Sequence, residues 1–412
     1  MNHEVKNGAG SNAASRSFPG SGAAIRPASG LLQVSYELMT PGPTQVAENV
    51  RQALSLPCVN PDLDPDFYSF TEGICHDLER FFHTEDHQAL ILSGEGILGI
   101  EAAFASMTEP GDRVLVLDNG VYGRGNADFV SLYGGTPVLY STDYHAPIDP
   151  SALESYLAAD HGFAFAALVH CDTPSGMLND IDALVPILHR YGIPVIVDAV
   201  SSAFGMPIDL EKTPADILCL GSQKALSAPP GLSMLLVGPA AWEKMDRRRT
   251  PIASFYASLP AMRNYARDQW FPYTMPSADM NGLRQALNNV LSDPGIFLRH
   301  GKLAAASRAA LREAGLSLYE RAGFSDTVSV FLVPDGTTDR EILSGMRREG
   351  ILLAGSFDVL AGKVIRIGHM GENARAEKLQ RTFRALQKIL TGLEIPLQAD
   401  MEQVFLEKLQ ES

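Results

Sequence analysis

No apolar stretch in the sequence approaches the ~20 residues needed to cross a bilayer. The N-terminus also lacks the basic-then-apolar order of a secretory leader, and together these absences predict a cytoplasmic chain with no membrane partner. Positive charge is scarce. With 33 Lys and Arg against 48 Asp and Glu, the formal net charge is −15. A nucleic-acid surface needs clustered cations to meet phosphates, and the triplet Arg247-Arg248-Arg249 is too short to supply one. Cysteine is scarce too. Cys58, Cys75, Cys171 and Cys219 form no close pair, which excludes a zinc motif or a disulfide framework and predicts four reduced thiols. No metal site is expected.

What is present is the composition of a globular chain: 45% hydrophobic, 20% charged, over 412 residues. From about Ala89, short apolar runs alternate with longer amphipathic ones. ALILS (89–93) reads as a strand and LGIEAAFASM (98–107) as the helix after it. RVLVLD (113–118), AFAALVH (164–170), IPVIVD (193–198), DILCLG (216–221) and SMLLVG (233–238) read as further strands. Near-continuous apolar strands alternating with helices predict an α/β fold with a mainly parallel sheet between helices. A helix over 282–292 and a strand-like TVSVFLV (327–333) predict a smaller C-terminal α+β domain. The expected division is a flexible, Gly/Ala/Ser-rich tail (1–32), a large domain (33–290), a small domain (291–395) and a C-terminal helix (396–412).

Ligands of such sheets bind beyond the carboxyl ends of the strands. The polar punctuation falls there: SGEG after the first run, HCDTPSG after Val169, Asp198 at the end of IPVIVD, and GSQK after Leu220. In GSQKALSAPPG (221–231), Lys224 follows a strand end and precedes Pro229-Pro230-Gly231, which cannot continue a helix. Such a lysine is either a surface residue or one that holds a carbonyl compound as an imine and then shuttles a proton. Asp198 is either a helix N-cap or the carboxylate that keeps a pyridinium nitrogen protonated. Arg366 in VIRIGHMG could form an exposed ion pair or grip a substrate carboxylate with two parallel bonds. Tyr122 in NGVYGRG could pack in its loop or stack on a ring.

Taken together, from Met39-Thr40-Pro41-Gly42-Pro43 to Gly371, these residues resemble the class V aminotransferases of fold type I, in the branch containing alanine-glyoxylate and pyridoxamine-pyruvate enzymes. The resemblance implies a pyridoxal-type vitamer imine-linked to Lys224. It implies that Asp198 pairs with the ring nitrogen, Tyr122 stacks on the ring, Thr173 approaches the ring hydroxyl, Gln223 contacts the vitamer, and Arg366 holds the substrate carboxylate. The segment QWFPYTMPSADMNGL (269–283) resembles one that reaches a neighbouring subunit's site, so Thr274 is expected to serve a partner in a homodimer or dimer of dimers.

Phosphate-holding members of the family carry a small hydroxyl residue in the turn where this chain has Ser93-Gly94-Glu95-Gly96. Amides at a helix start attract phosphate, and a carboxylate there repels it. Glu95 either occupies the anion site or points to solvent. Pyridoxamine-pyruvate aminotransferases carry a glutamate in this turn, and Asp62-Leu63-Asp64-Pro65 and VDAVSS also resemble them. One departure is that no arginine lies between Arg348 and Arg366, where those enzymes carry a second one and this chain has Gly355-Ser356-Phe357-Asp358. The expected reaction moves an amino group from unphosphorylated pyridoxamine to pyruvate. The alternatives are a pyridoxal 5'-phosphate enzyme exchanging amines between alanine or serine and glyoxylate, one using a phosphonate-linked amine, and a vitamer-binding protein without turnover. A cysteine desulfurase would need a cysteine beyond Cys219.

Overall fold

The computed structural model describes residues 36–411, so the tail expected over 1–32 lies outside them. Strands form where four to six consecutive residues, mostly aliphatic, can be buried on both faces. Seven of them make one sheet: β1 (Gln88–Ser93), β2 (Arg113–Asp118), β3 (Thr136–Ser141), β4 (Phe165–Val169), β5 (Val195–Asp198), β6 (Ile217–Gly221) and β7 (Leu232–Val237). Their order is β1-β7-β6-β5-β4-β2-β3. All pairings are parallel except those of β7, which runs antiparallel to both β1 and β6. The reversal follows from segment 222–231, too short for the crossover helix that a parallel return requires.

The sequence reading passed over β3. Its TPVLYS pattern is half exposed because it forms the sheet edge, so it lacks the continuous apolar signature of its neighbours. Helices cover the sheet: α1 (Pro65–Phe81), α2 (Gly96–Met107), α3 (Val121–Leu132), α4 (Pro150–Ala159) and α5 (Ile181–Arg190). α1 starts where Asp64 accepts the N–H of Asp66 and Pro65 takes the first position, an arrangement that satisfies an orphan donor and pre-sets the backbone. One continuous apolar cluster runs from Leu90 through Val116, Leu168 and Leu220 to Leu235.

After α6 (Ser277–Leu291), which begins earlier than the expected 282 because Pro276 is the break, come α7 (Ile296–Glu313), β8 (Val328–Leu332), α8 (Asp339–Arg348), β9 (Val364–Gly368), α9 (Ala376–Gly392) and α10 (Met401–Glu411). β8 and β9 pair antiparallel, with Val330 opposite Arg366. Side chains alternate faces along a strand. Phe331, Ile365 and Ile367 enter a second apolar cluster with Leu386 and Phe405, whereas Val328, Val330 and Val364 join the cluster of the large sheet. Arg366 shares the latter parity, which directs it toward the large sheet and away from the second core.

Candidate active site

At the carboxyl edge of the sheet, the segments after β1, β2, β4, β5 and β6 surround a cavity of about 340 Å³. Glu95, Tyr122, Thr173, Asp198, Gln223 and Lys224 line it. These come from five strand ends, the convergence expected of a parallel sheet.

Lys224 is held by a lashed loop. Ser222 Oγ donates to Pro229 O at 2.6 Å, and the Ala228 N–H donates to Ser222 O at 3.0 Å. From the other side, Thr44 Oγ1 donates to Lys224 O at 2.9 Å and the Thr44 N–H to Gln223 O at 3.0 Å. The side chain donates from Nζ to Pro41 O at 2.8 Å. Gly42 passes so close that a Cβ there would lie 2.6 Å from Nζ, and its φ of +99° is one that glycine tolerates best. Burial, reinforced by the Arg366 charge, pulls the lysine down to about 8, against the opposing pull of Asp198 and Glu95. An ammonium that sheds its proton near neutrality can act as a nucleophile and proton carrier.

Asp198 ends β5, buried, with Oδ1 accepting the Val200 N–H at 2.9 Å. Residues 199–202 form a turn and not a helix, so the N-cap alternative does not apply. Burial pushes the carboxyl up to about 6, partly offset by the Val200 N–H and Lys224. Among the described residues Oδ2 has no hydrogen-bond donor. Thr173 Oγ1 donates to Ser201 Oγ at 2.5 Å. Tyr122 enters from the first turn of α3, where its N–H donates to Asp172 Oδ1 at 2.8 Å, and burial raises its phenol.

Glu95 stands at the N-cap of α2 without capping its amides. Its Oε2 instead accepts from Gln223 Nε2 at 2.6 Å, so the carboxylate is turned along the cavity wall toward the lysine segment. The other amide atom, Gln223 Oε1, is buried with no hydrogen-bond partner among the described residues.

Other predicted residues stand around this group. Ser93 is in sheet register with Leu232, the Gly94 N–H is taken by Gly231 O at 2.8 Å, and Gly96 packs against Val200. These three shape the turn from behind and do not line the cavity. Arg366 also stands outside the lining, reaching it through Thr173, whose carbonyl oxygen is 3.4 Å from Nη1. Thr274 is exposed and donates to Asp62 Oδ2 at 3.0 Å, away from this chain's cavity. Sequence reasoning missed Cys171 and Ser201, which also line the wall. Each lies within a segment already singled out, HCDTPSG and VDAVSS, and only the folded path of those segments turns it inward.

The aminotransferase class-V family matches residues 43–313. The chain is a class V aminotransferase. It is 34% identical to the pyridoxamine–pyruvate transaminase of Mesorhizobium japonicum, over 82% of this chain and 87% of the relative. It is 31% identical to the alanine–glyoxylate aminotransferase of Callithrix jacchus, over 86% and 87%. The crystal structure of pyridoxamine-pyruvate aminotransferase from Mesorhizobium loti superposes with a TM-score of 0.86 at 32% identity, covering 91% of this chain and 97% of that one. The fold is therefore the fold-type I α/β architecture expected from the sequence.

An aminotransferase of this class uses a cofactor of the pyridoxal-phosphate type and takes a small-molecule amine and a keto acid. The residues of the cavity fit such a ring: its lining includes a lysine whose proton affinity burial lowers to about 8, a buried carboxylate with one oxygen lacking a donor among the described residues, and an aromatic side chain. Among the described residues, no helix of this aminotransferase is long and apolar enough to cross a membrane.

Proposed function

We propose that this aminotransferase works on the unphosphorylated vitamer, moving the amino group of pyridoxamine to pyruvate to give pyridoxal and L-alanine. The observation that carries the reading is the Glu95 carboxylate at the start of α2, held on the cavity wall by Gln223 Nε2 at 2.6 Å. A phosphate brought to that helix start would meet a fixed negative charge, whereas a neutral hydroxymethyl group could donate to it. The similarity to a pyridoxamine–pyruvate transaminase supports the same substrate pair.

The ring, when bound, supplies the electron sink that lets a proton leave the carbon carrying the amine. Lys224 Nζ takes and returns that proton, its affinity near 8 serving both directions at neutral pH. Asp198 Oδ2 would accept from the ring nitrogen. Tyr122 would pack against the ring, Thr173 would stand near its hydroxyl, and Arg366 would orient the carboxylate of pyruvate. A second copy of the chain contributes Thr274 in a homodimer, a reading supported by the exposed Phe255, Tyr256 and Trp270 on the same stretch of chain.

The test is the absorbance of the purified protein between ~300 and ~450 nm with pyridoxal or pyridoxal 5'-phosphate added, since the lysine-bound aldehyde absorbs there. Pyridoxal formation from pyridoxamine and pyruvate, abolished in Lys224→Ala, is the expected result. Pyridoxal 5'-phosphate carried firmly through purification would overturn the proposal, and vitamer binding without turnover of any amine would show a binding protein.

A further inference from the structure

The acceptor side of the site, taken on the amine-transfer reading above, carries a selectivity of its own. Arg366 donates from Nε to Gly355 O at 2.6 Å and from Nη1 to Thr173 O at 3.4 Å. Among the described residues Nη2 has no acceptor and no carboxylate pairs with the guanidinium. That leaves room for one carboxylate.

The loop that wraps this arginine decides what lies beside it. Ala354 bridges to Arg366 through the backbone, and Ser356 Oγ donates to Pro174 O at 3.1 Å, tying the loop to the segment that carries Thr173. The tie holds the Phe357 ring 5.8 Å from the Tyr122 ring and 5.9 Å from the Arg366 guanidinium carbon. A phenyl ring offers neither a hydrogen-bond donor nor a positive charge. The other charges acting on Tyr122 are Asp198, Asp172 and Glu95, all acids. Among the described residues, the cation on the cavity wall is Lys224, which the transfer itself uses. A second carboxylate on the acceptor would meet the half-exposed Phe357 ring in the field of these acids, with no cation to pair it.

We infer that Phe357 makes the acceptor site selective for 2-oxo monocarboxylic acids with apolar side chains, and that 2-oxo dicarboxylic acids are rejected there. The Phe357 and Tyr122 rings form the surface on which the acceptor's side chain rests.

The test measures kcat/KM for pyruvate, 2-oxobutanoate, 2-oxopentanoate, oxaloacetate and 2-oxoglutarate, with pyridoxamine and, separately, pyridoxamine 5'-phosphate as donor. Calorimetric binding of the same acids to the purified protein gives a readout independent of turnover. The monocarboxylates should hold or gain as the chain lengthens, and both dicarboxylates should fall at least ~100-fold below pyruvate in either readout. Phe357→Arg should raise the dicarboxylates at least ~10-fold relative to pyruvate, and Phe357→Ala should remove the gain from chain length. Oxaloacetate within ~10-fold of pyruvate in the unmodified protein, or ratios unmoved in both variants, overturns the inference. Turnover with the phosphorylated donor alone would defeat the vitamer proposal, while the acceptor ratios would still decide Phe357.

Discussion

Glu95→Gln isolates the charge that, on the proposed reading, separates the two vitamers. The amide oxygen of glutamine can still accept from Gln223 Nε2, so the 2.6 Å hydrogen bond on the cavity wall has a replacement and the change is one of charge. Two unit charges ~4 Å apart at an effective dielectric near 20 interact by about 4 kcal/mol. Glu95 is half-buried, and solvent and salt screen it, so about half of that, ~2 kcal/mol, is the working figure. That energy corresponds to ~30-fold in a dissociation constant. The assay is paired absorbance titrations of pyridoxal and pyridoxal 5'-phosphate. The affinity ratio should move ~30-fold toward the phosphate ester in Glu95→Gln, with pyridoxal itself changing little. In the unmodified protein, added salt should strengthen phosphate-ester binding, because it screens a repulsion. A ratio within about twofold of the unmodified protein, together with no salt effect, would falsify the placement of Glu95 in the anion site.

The remaining predictions concern the lysine, its neighbour and the second core. Because burial lowers Lys224 to about 8, the rate of pyridoxal capture should rise through pH 8 and level off above ~9, with about a tenth of the amine neutral at pH 7. Stopped-flow traces that keep rising toward pH 10.5 would show an ordinary lysine. The unfolded chain keeps this proton up to about 10.5 and the folded chain loses it near 8, so the lysine's unfavourable contribution to stability is fully present below 8 and disappears as pH rises between the two. Gly42→Ala places a methyl 2.6 Å from Lys224 Nζ on a backbone at φ +99°. It should slow capture by at least ~10-fold, and an unchanged rate would mean that the turn of 41–43 does not set the amine's position. Phe331→Ala, fully buried in the second cluster, should cost about 3–5 kcal/mol in urea unfolding, and a loss below ~1 kcal/mol would mean that this core is loosely packed.

Much of the sheet was legible because buried parallel strands are written as unbroken apolar runs. RVLVLD and DILCLG could be read directly, and Lys224 and Asp198 stand at or just after strand ends that such runs define. TPVLYS could not be read that way, since an edge strand is half exposed and its apolar residues are diluted. The direction of β7 was equally hidden: an apolar run has no polarity, and only the shortness of 222–231 reveals that it must turn back. For the site, the sequence supplied the identity of the groups and the structure supplied their relations. Nothing in the run VIRIGHMG says that Arg366 lacks an ion pair among the described residues, and nothing in GSFD says that Ser356 is tied to Pro174 so that Phe357 is held beside Tyr122. Those facts depend on contacts across more than 180 residues of chain, where local pattern carries no information.

The arrangement around α2 links these observations. A helix start attracts negative charge, and in most such sites that charge arrives with the ligand. Here Glu95 stands at that start, held along the cavity wall by Gln223 without capping the amides, so on the proposed reading the chain's own charge is in place before any vitamer enters. On that reading the vitamer would be held by Lys224, by Asp198 and by contact with Tyr122, without the charge-assisted bonds that anchor a phosphate. Removing that anchor suits a vitamer that must leave after each transfer. It would also place the burden of positioning on the lysine, which agrees with a loop of 222–231 bonded on both sides and a turn of 41–43 that closes over Nζ. If the anchor were restored at Glu95, release of the aldehyde should become the slow step, and the site would change from one that turns over its vitamer to one that retains it.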